Sequence, residues 1–191
     1  MSTPRAIVLV EGNSDRAALH TLAGRLGRDL ATERVEVVSM GGITNTRAFA
    51  SHFGPRGLGL PLTGLYDAAD EPKLRRGLVA AGLDASAERD GLHGLGFFAC
   101  SMDLEDELIR ALGVEGVESV IAAEGEARSL RLLAGMPAQR GWPRVAVLRR
   151  FLGSKAGRKA RYAALLVDAL GPERAPQPLM HALARTGGDH S

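Results

Sequence analysis

The segment AIVLVEGNSD, residues 6–15, decides the fold class of this chain. Its first five residues are apolar, which is typical of one short buried β-strand, and the run stops at the carboxylate of Glu11 and a glycine. Asn13 or Ser14 can cap the helix that follows, and Asp15 falls in its first turn, where a negative charge suits the helix dipole. Ligands of open α/β sheets bind outside the carboxyl ends of the strands. Glu11 is therefore a candidate metal ligand or acid/base group; the alternative is a carboxylate on a surface turn.

Acidic residues also follow two later apolar runs. One run ends before Asp67 and Asp70, and the other ends before Asp103 and Glu105. If the strands are parallel, these carboxylates meet Glu11 along one edge of the sheet. Close like charges raise one another's pKa unless a cation lies among them, and a ligand set made only of oxygens favours Mg²⁺ or Mn²⁺ over zinc. For Asp67 and Asp103 the alternative is a helix cap, since a predicted helix follows each of them.

The periodicity predicts an α/β fold. Strand and helix patterns alternate through residues 1–113, which predicts a mainly parallel four-stranded sheet flanked by helices. Beyond residue 113 the strand patterns fade, and we expect a helical extension over 114–191. Within these parts we expect a loop over 83–94 and a helix over 155–170.

Composition restricts the class of protein. The length of 191 residues suits one domain with an appendage, or two small domains. A single cysteine, Cys100, excludes an internal disulfide framework and is expected to be a small core residue. No apolar stretch approaches the roughly 20 residues that span a bilayer, and the N-terminus lacks a signal-peptide pattern. These features predict a cytoplasmic protein that is not embedded in a membrane.

Charge is distributed unevenly along the chain. Residues 140–191 carry a formal charge of +7, whereas the remainder carries −5. An acidic edge beside a basic helical segment suits a polyanion such as DNA, and the alternative is an ordinary solvated helix surface. Trp142 lies in a predicted loop within this basic part, where it either stacks on a base or packs the loop against the helices.

Together these motifs resemble the Toprim domain. The resemblance is carried by Glu-Gly-x-Ser-Asp after the first strand, Gly-Gly after the second, Asp after the third and Asp-Leu-Glu after the fourth. The version that looks most similar is the Toprim half of the OLD-family (overcoming lysogenization defect) endonucleases, over roughly residues 5 to 113. A weaker likeness continues through residues 151–163, because OLD-type Toprim domains place a functional lysine in such a downstream helix.

The resemblance implies roles for individual residues. Glu11 would be the family's glutamate, a metal ligand or general acid/base, and Lys155 or Lys159 would be the lysine that stabilises the transition state. The further expected metal ligands are Asp15, Asp67, Asp103 and Glu105. One position departs from the pattern, because the second aspartate of the family's Asp-x-Asp pair is replaced by Ala69. Asp70 and Glu71 follow at once, and a shifted turn could bring either of them inward.

The implied function is a Mg²⁺- or Mn²⁺-dependent endonuclease that hydrolyses or nicks DNA. The alternative is a catalytically weak or inactive Toprim module that binds nucleic acid or a partner ATPase. The chain has no Gly-x-x-x-x-Gly-Lys-Ser/Thr phosphate-binding loop, so any ATPase would be a separate polypeptide. Nothing in the pattern indicates the oligomeric state.

Overall fold

A four-stranded parallel sheet forms the centre of the molecule. The computed structural model describes residues 3–84, 89–155, 157–171 and 173–187. In these ranges the strands lie in the order β2-β1-β3-β4 and each neighbouring pair is parallel. Their bounds are Ala6–Val10 for β1, Val35–Ser39 for β2, Leu62–Asp67 for β3 and Phe97–Cys100 for β4. The predicted α/β fold with a mainly parallel sheet is thus confirmed.

Helices cover both faces of this sheet. The helices that precede β4 are α1 (Asn13–Arg25), α2 (Thr46–Phe53), α3 (Glu71–Ala80) and α4 (Gly91–Gly94). Those that follow it are α5 (Leu104–Leu112), α6 (Val114–Ala123), α7 (Ala127–Ala134), α8 (Arg144–Leu152), α9 (Arg158–Ala169) and α10 (Gln177–Thr186). Single 3₁₀ turns occur at Ile43–Asn45, Ala68–Asp70 and Pro137–Gln139.

Alternation along β1 divides the core into two layers. Val8 and Val10 point into the layer formed with α1 and the helices after β4, whereas Ile7 and Leu9 point into the layer formed with α2, α3 and α4. Because both faces are covered, every residue of β1 is buried. This explains why β1 is a continuous apolar run rather than an alternating pattern.

Helices from the two predicted parts of the chain share one of these layers. Helix α9 packs along α1, and α10 packs against β3 and β4. Leu19 of α1 and Leu166 of α9 belong to the same apolar cluster. The division into a core over 1–113 and an extension over 114–191 stays a prediction, but the packing places α9 where it can contribute a side chain to the sheet edge.

Two predicted segments differ from the structure. The expected loop over 83–94 contains the short helix α4, in the part that lies within the described residues. The expected helix over 155–170 begins later, at Arg158, because Gly157 takes a left-handed conformation (φ 77°) that a continuous helix does not allow. Lys155 therefore lies outside α9, and Lys159 lies in its first turn.

None of the helices in the described ranges has the length and apolar character needed to cross a bilayer.

Candidate metal centre

The carboxyl ends of β1 and β3 open onto a cavity of about 450 Å³. Glu11, directly after β1, and Asp67, the last residue of β3, both line it. The opposite wall comes from the N-terminal turns of α5 and α9 and from the Gly41-Gly42 turn. The parallel sheet therefore places acids that are 56 residues apart in sequence at one edge, as the strand pattern predicts.

Three carboxylates converge at this edge. Oxygen atoms of Glu11, Asp67 and Asp70 all lie within 4.8 Å of one another. The 3₁₀ turn Ala68–Asp70 carries the chain around after β3, so the carboxylate that position 69 lacks is supplied one residue later. Glu71 is not part of this group, because it pairs with Arg75 at 2.9 Å. We call Glu11, Asp67 and Asp70 the carboxylate triad.

The triad carries more negative charge than its cationic neighbours offset. One oxygen of Asp70 accepts a hydrogen bond from Lys73 at 2.6 Å, but the Lys73 side chain is half exposed. Oε2 of Glu11 is buried and has no hydrogen-bond partner among the described residues. A buried oxygen of this kind carries a large desolvation cost unless a cation or a donor reaches it. An oxygen-only triad with an unpartnered buried atom fits a divalent cation such as Mg²⁺ or Mn²⁺.

The pKa values of Glu11 and Asp67 are raised because both acids are partly buried and lie close to other carboxylates. Burial, together with the nearby charges of Glu11, Asp15 and Asp103, raises the pKa of Asp67 to about 7. Burial also raises the pKa of Glu11, with additional contributions from Asp70 and Asp15. Without a cation, the site therefore holds protons at a pH where an ordinary carboxyl group is ionised.

Asp15 lines the cavity and also fixes the start of α1. Its Oδ2 accepts a hydrogen bond from the backbone N–H of Gly12 at 2.9 Å. Gly12 is the N-cap of α1, so the expectation that Asn13 or Ser14 caps this helix is wrong. Burial raises the pKa of Asp15 despite this bond. The negative charge lies at the positive end of the helix dipole, which favours it there.

Asp103 is a helix cap that also lines the cavity. It caps α5, because its Oδ1 accepts a hydrogen bond from the backbone N–H of Asp106 at 2.8 Å. Its other oxygen, Oδ2, accepts a hydrogen bond from the Arg149 guanidinium, and the residue lines the cavity. The Asp103 carboxylate is therefore held by two partners and, unlike Glu11, has no unsatisfied oxygen in the described residues.

Glu105 is buried and pairs with a lysine. Its side chain is only 7% exposed, and Oε2 lies 3.1 Å from Nζ of Lys159, whereas Oε1 has no hydrogen-bond partner among the residues described. Burial raises the pKa of Glu105, although Lys159 opposes the shift. Glu105 does not line the cavity itself, but Lys159 does. The two residues thus form a pair at the cavity wall.

Lys159 and Lys155 differ in position. Lys159 lines the cavity, and although burial would lower its pKa, the charges of Glu105, Asp15 and Asp103 raise it above the ordinary value. Lys155 is exposed and does not line the cavity. Of the two lysines that the sequence suggested, only Lys159 can place its ammonium group beside the carboxylates in this conformation.

Arg149 is a site residue that the sequence reasoning missed. It lies on α8, 46 residues after the Asp103 carboxylate that it binds, so no local pattern connects the two. The only available signal was the density of basic residues between 140 and 161. Asp106 and Glu107, further along the same acidic run, are both buried against Arg110, and Glu107 accepts a hydrogen bond from the Ser101 N–H at 2.8 Å.

The Gly41-Gly42 turn links β2 to the triad. Gly41 and Gly42 have φ values of 69° and 128°, which side-chain-bearing residues rarely adopt. The turn is held by a hydrogen bond from the Gly42 N–H to the carbonyl of Glu11 at 3.1 Å. The contact fixes the backbone that carries Glu11.

Comparisons with known proteins agree with this geometry. The family model for the TOPRIM domain of proteins like the overcoming lysogenization defect protein matches residues 4–68. Among solved structures, the C-terminal region of the Burkholderia pseudomallei OLD protein is 26% identical, with a TM-score of 0.71 and coverage of 97% of this chain and 98% of that one. The C-terminal region of the Xanthomonas campestris pv. campestris OLD protein is 27% identical, with a TM-score of 0.68 and coverage of 97% and 95%. No curated protein sequence matches the chain. The structural likeness thus extends well beyond residue 68, to the helices after β4.

Proposed function

Because this chain has a Toprim domain that resembles the Toprim region of OLD proteins, we propose that it is a divalent-metal-dependent nuclease that cuts DNA phosphodiester bonds. The observation that carries the proposal is the carboxylate triad, in which Glu11 keeps a buried oxygen without a partner. The Toprim likeness indicates a nuclease-type family. The substrate, the reaction and the residue roles below are inferences from the site.

The triad residues would hold the cation. Glu11, Asp67 and Asp70 each present one oxygen to a common point, which suits Mg²⁺ or Mn²⁺. Such an ion, when bound, supplies the positive charge that activates water and offsets the charge of the phosphate. The Ala69 substitution does not remove this capacity, since Asp70 reaches the position from the following turn.

A second group of residues would position charge around the scissile phosphate. Asp15, Asp103 and Glu105 line or adjoin the cavity and are candidates for a second set of metal ligands. In the structure Asp103 pairs with Arg149 and Glu105 pairs with Lys159. The Lys159 ammonium group would face the non-bridging phosphate oxygens, where negative charge grows during the displacement. Lys155 is exposed and would contact the DNA backbone rather than the reacting phosphate.

The pairing of Asp103 and Glu105 also supports a second candidate function. Both carboxylates are engaged by cations of the chain, which leaves the triad as the one acidic group of this kind in the described residues. A site with one ion of modest affinity would bind nucleic acid or a separate ATPase without cutting. In this alternative the chain is a binding module of a larger assembly.

Cleavage of supercoiled plasmid in Mg²⁺ or Mn²⁺ tests the first function against the second. We expect the wild-type chain to nick the plasmid and chelation to stop it. Glu11→Gln, Asp67→Asn and Asp70→Asn should each lower the initial rate about 100-fold or more, because each removes charge from a cation ligand.

Glu71→Gln is the matched control for this experiment. Glu71 directly follows Asp70 but pairs with Arg75 outside the triad, so this variant should cut at the wild-type rate. If the wild type cuts no faster than the triad variants, the nuclease proposal is overturned in favour of the binding module. If Glu71→Gln is as defective as Asp70→Asn, the assignment of the triad is wrong.

A further inference from the structure

The segment from residue 127 to residue 167 contains ten lysines and arginines and no aspartate or glutamate. It comprises α7, the loop after it, α8 and most of α9. Such a run of one sign is the electrostatic footprint of a surface that contacts a polyanion, provided that the charges are not neutralised by acids elsewhere in the fold.

Half of these cations are neutralised and half are not. Five form ion pairs with acids at the N-cap or in the first turn of α5, on α6 or in the turn before α7; they are Arg144, Arg149, Arg158, Lys159 and Arg161. The other five have no acidic partner among the described residues and are exposed; they are Arg128, Arg131, Arg140, Arg150 and Lys155. The unpaired cations leave an excess of positive charge on this side of the molecule.

Helix α8 connects the cavity to this excess charge. Arg149, near its C-terminal end, binds Asp103 at the cavity wall, and the neighbouring Arg150 is exposed and unpaired within the described residues. Trp142 lies just before the helix, separated from it by Pro143. Trp142 lies seven positions before Arg149, and the helical part between them, from Arg144 to Arg149, rises about 7.5 Å, or about two stacked nucleotides.

Trp142 is held in an exposed position. The residue is 44% exposed, so part of its side chain is open to a ligand. Within the described residues its indole makes no ring contact and no hydrogen bond of its own. Pro143 restricts the backbone on one side of Trp142, and the Trp142 N–H donates to the Gln139 carbonyl at 3.0 Å. An aromatic face with limited freedom loses little entropy when a base stacks on it.

We infer that Trp142 is the base-stacking end of a basic track along α8, which binds single-stranded nucleic acid leading away from the carboxylate cavity. Arg150 and Lys155 contact phosphates along the track, and the indole stacks on an unpaired base. Stacking requires a base that is not already enclosed in a duplex, so the track favours substrates with an unpaired stretch. This inference rests on the proposed function, since it specifies the nucleic acid that the same chain engages.

The chain contains a single tryptophan, so the intrinsic fluorescence reports on Trp142 alone. We expect an oligonucleotide of about twelve thymidines to quench this fluorescence in a saturable way in EDTA, where no cutting occurs. A blunt duplex of the same length should quench it less. Affinity should fall as salt increases, because bound phosphates release counterions.

Anisotropy of a labelled oligonucleotide extends the test to variants that lack tryptophan. Trp142→Ala should weaken single-strand binding about 5- to 100-fold, and Trp142→Phe should recover most of the affinity because phenylalanine also stacks. Leu58→Ala is the control: this side chain is 56% exposed on the turn before β3, and its loss should leave binding unchanged.

The inference is overturned if the oligonucleotide binds without quenching and Trp142→Ala binds as well as the wild type. The exposed indole would then serve another partner, such as a protein. Plasmid nicking distinguishes this failure from failure of the proposed function. If the chain nicks plasmid but does not bind the oligonucleotide through Trp142, the proposed nuclease function stands and the proposed track is wrong. If the oligonucleotide quenches Trp142 but the chain does not nick plasmid, the track stands and the nuclease function is wrong.

Discussion

Two clusters of charged side chains in this molecule have opposite balances. The first surrounds the cavity, where six carboxylates face three cations; the acids are Glu11, Asp15, Asp67, Asp70, Asp103 and Glu105, and the cations are Lys73, Arg149 and Lys159. The second joins the turn between α6 and α7 to α9, where Glu124 and Glu126 face Arg158 and Arg161. We call the second the α9 ion-pair cluster.

The α9 ion-pair cluster is complete within the chain. The Arg158 side chain is only 5% exposed and donates to Glu126, to Ser154 Oγ at 2.7 Å and to the Phe151 carbonyl at 3.2 Å. Tyr162 also donates to Glu126 at 3.2 Å. Burial alone would raise the pKa of Glu126, but Arg158, Tyr162 and Arg161 together lower it.

The difference in charge balance indicates a structural role for the α9 ion-pair cluster and a functional role for the cluster at the cavity. Where acids and cations are equal in number, as in the α9 ion-pair cluster, the pKa of the Glu126 carboxylate is lowered and the ion pairs stabilise the fold. Where acids outnumber cations, as at the cavity, the pKa values rise and the arrangement costs stability until something positive binds. An unbalanced cluster that the fold nevertheless retains indicates a ligand.

Added metal should have the largest effect on stability in this comparison. At a Mg²⁺ or Mn²⁺ concentration of about 100 times Kd, the folded chain should gain about 2.7 kcal/mol, which raises Tm by roughly 5–10 °C for a chain of this size. Thermal unfolding with and without the ion measures this gain. Asp67→Asn should remove most of it. Equal gains in wild type and variant would mean that the ion binds elsewhere.

Breaking the α9 ion-pair cluster should have a somewhat smaller effect and the opposite sign. Glu126→Gln should lower the free energy of unfolding by about 2 kcal/mol, because it leaves the buried Arg158 guanidinium without its carboxylate; partial exposure of Glu126 reduces the cost below that of a fully buried pair. Denaturant titration measures the loss. Glu115→Gln on α6, an exposed acid without an ion pair in the described residues, should stay within about 0.5 kcal/mol of wild type.

Much of the cavity was predictable because strand ends are local features. An apolar run followed by Glu11, and another followed by Asp67, placed both acids at one edge once the strands were taken as parallel. The sequence does not decide whether Asp70 or Glu71 joins Glu11 and Asp67, because the answer depends on a one-residue difference in the turn before α3. The choice of Lys159 over Lys155 depends on the left-handed Gly157, which delays the start of α9. Arg149 could not be predicted, because its contact with Asp103 arises from the packing of α8 against α5.

The pH dependence of the free energy of unfolding should be the smallest of these effects, and its direction should differ between the two clusters. The pKa of Asp67 is raised to about 7, so its contribution to the stability of the metal-free chain is complete at low pH and is lost as the pH rises through about 7. Glu126 has a lowered pKa, so its contribution is present near neutrality and is lost as the pH falls below 4.5. Without metal, Asp67→Asn should therefore stabilise the chain by about 1 kcal/mol at pH 8, after solvent screening of this half-buried group, and by roughly half of that or less at pH 5. Denaturant titrations at the two pH values, in chelator, measure the difference. If Asp67→Asn is equally destabilised at both pH values, Asp67 is a structural residue, and its contrast with Glu126 disappears.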